Sequence, residues 1–263
     1  MNELVLPTQA REGPLRTLFV AAAVCLACSV LVSAAVQLLE PRQKANRELE
    51  RERQIMAIIA GQPALADMLE TLEEVDVRAR VVELATGLYA DWIDPATFDS
   101  ARAERDPLQS VELPPERDPA RIGRRAKLAT VYEVWRADRL ELVILPVHGL
   151  GYAATIRGFL AVARDGNTVV GLGFHEHGET PGLGGEIEDP EWLAQWEGKE
   201  LRDEQGRIRI RVTLDETDPA APGSVHLVDG ISGASRTSDA VTNLLRFWVG
   251  ADGFEAYLRR IGS

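Results

Sequence analysis

The sequence predicts an α+β fold: one N-terminal transmembrane helix followed by a soluble domain with a mainly antiparallel sheet and flanking helices. Three observations lead there. Residues 18–39, LFVAAAVCLACSVLVSAAVQLL, run without a charge. Apolar segments of strand length bracket short turn sequences in the second half of the chain. Helical spacing recurs on both sides of that stretch, and the order helices, strands, helices belongs to an α+β domain.

Residues 1–16 form a short tail in which Glu3, Arg11, Glu12 and Arg16 cancel. The transmembrane helix is assigned to residues 17–39. At about 1.5 Å per residue it is long enough to cross a hydrocarbon core of about 30 Å. A signal peptide cleaved at Ser33-Ala34-Ala35 is the competing reading, but the run is long for a signal core and its leading flank is hardly basic. Residues 40–125 are expected to be a helical and loop region. Residues 41–60 begin charged and end on Ile55, Met56, Ile58 and Ile59. Residues 64–91 carry Leu65, Met68, Leu69, Leu72 and Val75 at helical spacing. Residues 94–125 contain Pro95, Pro107, Pro114, Pro115 and Pro119 and read mainly as loop.

Residues 126–263 carry the sheet. Segments 128–135 and 140–145 flank Ala137-Asp138, and segments 158–163 and 168–174 flank Asp165-Gly166-Asn167, which gives two hairpins. Ile208, Ile210 and Val212 alternate with Arg207, Arg209 and Arg211, the pattern of a half-buried strand with a solvated arginine face. Residues 224–228 read as a short strand. Residues 238–250 and 252–261 read as helices, broken at Gly250.

Composition narrows the function. A hydrophobic share of 45% supports a packed core. A net charge of −12, with no stripe of lysine and arginine, argues against nucleic-acid binding. Cys25 and Cys28 both fall inside the apolar run, so the rest of the chain has neither a disulfide nor a cysteine-held iron–sulfur cluster of its own. Any redox centre there is organic, or a metal held by other ligands. Arg11 and Arg16 precede the span, whereas Arg42, Lys44, Arg47, Arg51 and Arg53 follow it. By charge count alone, the long C-terminal part would face the cytoplasm.

Two segments carry the chemistry. The first, Asp229-Gly230-Ile231-Ser232-Gly233-Ala234-Ser235, is a sharp turn feeding a helix N-terminus, where backbone N–H groups and hydroxyls converge on an anion. The second, residues 175–186 (HEHGETPGLGGE), packs four glycines and a proline into a loop that lets a flat group approach the backbone. Better-known patterns fail here. Ile187 stands at the third glycine position of G-x-G-x-x-G, and Glu179 stands where H-E-x-x-H needs its second histidine. The elbow G-x-S-x-G around Ser232 lacks its last glycine. His175 and His177 read as structural, and Trp192 and Trp196, at helical spacing, as core.

Residues 177–199 (HGETPGLGGEIEDPEWLAQWEGK) and 229–241 (DGISGASRTSDAV) together resemble the C subunit of the sodium-translocating NADH:quinone oxidoreductase. Pro146-Val147-His148-Gly149-Leu150-Gly151 and the single span add to the likeness, which covers nearly the whole chain. The related G subunit of the ferredoxin–NAD (Rnf-type) complex shares both short motifs, whereas Trp192 and Trp196 favour the sodium-pump protein. A structural subunit that never acquires flavin is the remaining alternative. The resemblance implies that residues 126–263 are an FMN-binding domain and that a flavin transferase joins FMN to the last hydroxyl of the motif, Ser235, through a phosphoester. Most members carry threonine there, and serine offers the same hydroxyl. It further implies Glu179, Thr180, Gly182, Leu183 and Gly184 around the flavin ring, Ser232, Gly233 and Ala234 in the attachment turn, and Thr237 and Ser238 at the phosphate. The partners implied are the other subunits of a bacterial inner-membrane complex, with this domain in the periplasm.

Overall fold

A computed structural model describes residues 18–26, 28–29, 75–215 and 217–263. The chain divides into two units, Met1–Arg51 and Glu52–Ser263. In the first, residues 18–26 and 28–29 are helical, and the Ser29 hydroxyl donates to the Cys25 carbonyl at 2.8 Å. The rest of the expected span and the helices expected over 41–60 and 64–74 lie outside the described residues. Among the described residues, no helix is long and apolar enough to cross a membrane.

The second unit is built on a five-stranded antiparallel sheet in the order β1-β4-β5-β6-β7. Its strands are β1 (Val75–Glu83), β4 (Leu128–Arg136), β5 (Arg139–Leu150), β6 (Thr155–Ala163) and β7 (Val169–Glu176). Both expected hairpins form. Ala137 and Asp138 take positive φ angles of 47° and 59°, the pairing that matches the right-handed twist of the strands it joins. At the β6–β7 turn, Asp165 Oδ1 accepts the N–H groups of Asn167 and Thr168, and Oδ2 accepts the Thr168 hydroxyl. Gly166 sits there with φ +70°, and a Cβ on it would lie 2.3 Å from the Leu258 carbonyl oxygen. That turn is thereby pressed onto the C-terminal helix.

The structure corrects the sequence reading in three places. Residues 75–83 are strand β1, not helix; it pairs along its whole length with β4, from Val75 opposite Arg136 to Glu83 opposite Leu128. The proline-rich stretch 94–125 is mainly loop, as expected, and within it lie helix α1 (Ser100–Arg105), capped by the Asp99 side chain, and β2 (Ser110–Glu112), which pairs with β3 (Arg124–Ala126). The other two differences lie after β7 in the chain. Of residues 207–213, only Arg211–Thr213 form a strand, β8, and it runs parallel to β9 (Leu227–Asp229). Residues Ser224–His226 are a 3-10 turn rather than strand. Arg207, Arg209 and Arg211 are exposed as expected, with Asp203 accepting from Arg207 at 2.9 Å.

One face of the sheet builds the main core. Val131, Val143, Leu145, Leu160 and Leu172 are buried together with Val241, Leu244, Leu245 and Trp248 of helix α3 (Ser235–Trp248). Helix α4 (Glu255–Ile261) adds Tyr257 and Leu258 to the same cluster. Each fully buried side chain of this size is worth about 1.5–3 kcal/mol. Trp196 is fully buried and meets Trp192 edge-to-face at 5.6 Å, so the two tryptophans are core, as expected. The Trp248 indole N–H donates to the His148 carbonyl at 2.6 Å, fixing α3 across β5. The N-terminus of α3 is thereby set at one end of the sheet, beside the loop that leaves β7.

Candidate functional site

Two chain segments far apart in sequence meet at the start of α3. The first leaves β9 at Asp229, whose three polar groups are all engaged. Its N–H donates to Gln195 Oε1 at 3.0 Å, its carbonyl accepts from the Trp192 indole at 2.8 Å, and its carboxylate accepts from the Thr217 N–H at 2.9 Å. Gly230 then donates to the Thr213 carbonyl at 2.6 Å. A Cβ on Gly230 would lie 2.8 Å from that oxygen, so the close approach needs glycine. Gly233 turns the chain at φ +75°, and α3 begins at Ser235. Ala234 occupies the N-cap and supplies no side-chain acceptor, so the first-turn N–H groups have no side-chain cap there.

The second segment leaves β7 and passes through Glu179, Thr180, Pro181 and Gly182 into a 3-10 turn, Gly184–Glu188. Asp189 ends the loop by capping helix α2 (Pro190–Ala194), accepting the N–H groups of Glu191 and Trp192. Glu179 is 5% exposed. One of its carboxylate oxygens accepts the Ala153 N–H at 3.0 Å, and the other accepts the Thr237 hydroxyl at 2.5 Å. A single buried side chain thus joins the β5–β6 loop, the glycine loop and the first turn of α3.

These segments enclose an open cleft of about 330 Å3. Of the residues singled out from the sequence, Glu179, Thr180, Leu183, Gly184, Gly233, Ala234, Ser235 and Thr237 line it. Ser235 is exposed among the lining residues, whereas Leu183, 45% exposed, offers an apolar face. Three expected residues stand apart. Gly182 holds φ +74° at the outside of the loop and donates to Glu186 Oε1. Ser232 is exposed in the turn before α3 without lining the cleft. Ser238 is 2% exposed, with its hydroxyl accepting the Ile231 N–H at 3.3 Å, so it braces the turn from inside. The Thr237 hydroxyl is likewise committed, to Glu179, and what Thr237 can offer an anion is its backbone N–H.

Two lining residues escaped the sequence reading of the site. Tyr152, 60% exposed, forms one wall, and the Arg236 guanidinium lies 5.3 Å from its ring centroid. Arg236 directly follows Ser235, and a cation beside an anion-binding helix start was the signal available. Tyr152 directly follows the Gly149-Leu150-Gly151 segment, but nothing local says which wall it joins. His177 accepts the Glu179 N–H at 3.2 Å and holds Glu188 Oε1 at 3.1 Å, a loop-bracing role. His175 stacks on Phe159 at 5.1 Å, and burial lowers its pKa.

Helix N–H groups, one arginine, an exposed hydroxyl and an apolar wall suit a ligand with a phosphate at one end and a flat body at the other. The family of FMN-binding domains matches residues 151–250, which include every residue of this cleft. Over 95% of its length, the chain is 44% identical to the C subunit of the Na(+)-translocating NADH-quinone reductase of Pseudomonas aeruginosa, covering 97% of that protein. It is 42% identical to the protein of the same name from Vibrio vulnificus, with 94% of each chain covered. The crystal structure of Shewanella oneidensis NqrC superposes with a TM-score of 0.69 at 32% identity, covering 82% of this chain and 98% of that one.

Proposed function

Because the chain belongs to the family of the C subunit of the Na(+)-translocating NADH-quinone reductase, we propose that it is the electron-carrying component of such a complex, with FMN tethered to Ser235 by a phosphoester. FMN, when bound, supplies reversible uptake and release of single electrons. Everything else in the function is what this chain does to hold and surround the group.

The observation that carries the reading is the position of Ser235. It is an exposed hydroxyl on the first residue of a helix whose N-cap offers no side-chain acceptor, and it lines a cleft shared by both sequence motifs. The N–H groups of that first turn and the Arg236 guanidinium balance the phosphate charge. Leu183 and Tyr152 shield the flat body from water, while Thr180, Gly184, Gly233 and Ala234 complete the walls. No chemical turnover is asked of Ser235, whose oxygen is a tether formed once. A separate flavin transferase would move the FMN phosphoryl from a flavin dinucleotide to the hydroxyl, breaking the P–O–P bond and releasing the nucleoside monophosphate and the serine proton. A tether suits a periplasmic domain, where no pool of free FMN can replace what dissociates. The same reading places the chain in the bacterial inner membrane through its N-terminal span, alongside the other subunits, and assigns it no nucleic acid.

The test is co-expression of the full chain with a flavin transferase. Flavin fluorescence should survive denaturation in a gel, and the peptide carrying Ser235 should gain the mass of FMN minus water. Ser235→Ala should abolish both signals, whereas Ser235→Thr should keep them. A colourless wild-type protein, or flavin that persists in Ser235→Ala, overturns the proposal.

A further inference from the structure

We propose that Glu179 is a positioning residue that sets the geometry of the Ser235 attachment site through Thr237, rather than a contact of the flavin ring; this rests on the attachment at Ser235 proposed above. Three observations carry it. Both carboxylate oxygens are taken, one by the Ala153 N–H and one by the Thr237 hydroxyl. The side chain is 5% exposed, so it has little surface left for a ligand. The chain around it is also shaped to admit it. A Cβ on Gly151 would lie 2.4 Å from Glu179 Oε1, and one on Gly184 would lie 2.8 Å from Oε2 and 2.5 Å from Thr237 Oγ1.

Two glycines from different loops thus make room for one carboxylate, Gly151 on the side of the oxygen bonded to Ala153 and Gly184 on the side of the oxygen bonded to Thr237. Thr237 lies two residues beyond Ser235 on the first turn of α3, so pinning its side chain fixes the rotation of that turn. The direction in which the Ser235 hydroxyl and the first-turn N–H groups face the cleft follows from that rotation. Nothing else described around the cleft ties the glycine loop to the helix start by side-chain hydrogen bonding, since His177 and Glu186 bond within their own loop.

Two variants alter the bond from opposite ends. In Glu179→Gln one oxygen still accepts from Ala153, while the amide NH2 donates to the threonine hydroxyl, so the charge-assisted bond is replaced by a reversed, neutral one. Thr237→Val keeps the shape and deletes the donor, and Thr237→Ser restores it. The readout is the initial rate of flavin attachment to the full chain by the transferase, measured well below each variant's unfolding midpoint. Breaking or neutralising a buried hydrogen bond of this kind corresponds to a fall of about tenfold. Glu179→Gln and Thr237→Val should slow attachment by that factor and shift the visible absorption of whatever flavin is attached, whereas Thr237→Ser should match wild type in both. If Glu179→Gln and Thr237→Val melt at lower temperature yet attach flavin at the wild-type rate with the wild-type spectrum, Glu179 is merely structural and the proposal falls. Wild-type protein that takes up no flavin would instead overturn the attachment at Ser235, and this inference with it.

Discussion

Gly184 and Gly182 sit two residues apart and are glycine for different reasons. Gly184 is buried where a Cβ would collide with the Thr237 hydroxyl and the Glu179 carboxylate, whereas Gly182 has open space around it and needs glycine only for its φ of +74°. Gly184→Ala should therefore cost about 2 kcal/mol by overpacking and also sharply reduce flavin attachment. Gly182→Ala should cost about 1 kcal/mol through backbone strain and leave attachment near the wild-type level. Urea midpoints compared with in-gel flavin fluorescence separate the two. Equal losses of attachment in both variants would mean that the cleft depends on loop conformation alone. Sequence pattern could mark this glycine-rich loop as a place of close approach, but not which glycine faces what, because the obstacle at Gly184 comes from residue 237.

At the scale of elements, the turn between β6 and β7 carries its own pH dependence. Burial pushes the Asp165 carboxyl up, but the Thr168 hydroxyl and the N–H groups of Thr168 and Asn167 outweigh it and hold the group below its ordinary range. A carboxylate depressed in the folded state stabilises fully above its unfolded value of about 4, and that contribution is lost as pH falls through the lower folded value. Asp165→Asn should thus be less stable than wild type by about 1 kcal/mol at neutral pH, with the gap closing in acid. Urea unfolding from about pH 7 to pH 3 checks it, and a gap that stays constant would exclude the charge as its origin. This hairpin and the one at Ala137-Asp138 were legible because their turn residues are local determinants. Strand β1 was not, since its pairing with β4 is decided 45 or more residues away. In Val75–Glu83, apolar Val75, Val77, Ala79 and Val81 alternate with Asp76, Arg78 and Arg80, a period of two that was masked by the helical spacing of Leu65 to Val75 just before it. The short parallel pair of β8 and β9 was invisible for the same reason: three-residue strands owe their form to the partner, not to propensity. The turn before α3 was readable as a helix start, because Gly233 and the run after Ser235 are local signals.

At the scale of the whole molecule, charge and cofactor chemistry point in opposite directions. Arg42, Lys44, Arg47, Arg51 and Arg53 follow the apolar run, against Arg11 and Arg16 before it, and the positive-inside rule would keep the Glu52–Ser263 unit in the cytoplasm. Yet a cytoplasmic flavoprotein can draw on free cofactor and has little use for a permanent bond, whereas the proposed tether answers a need that exists where cofactor lost is not replaced. The rule is also weakest for a long following domain, which is translocated largely regardless of its charge. Alkaline phosphatase fused after Ser263 should therefore be active in cells, because that enzyme forms its disulfides only in an oxidising compartment. The flavin of the fused chain should also be attached in the same membrane fraction. An intact fusion without phosphatase activity would put the domain in the cytoplasm, where free FMN is at hand and a covalent bond answers no shortage, while leaving the cleft and the proposed attachment at Ser235 to be decided by the mass of its peptide.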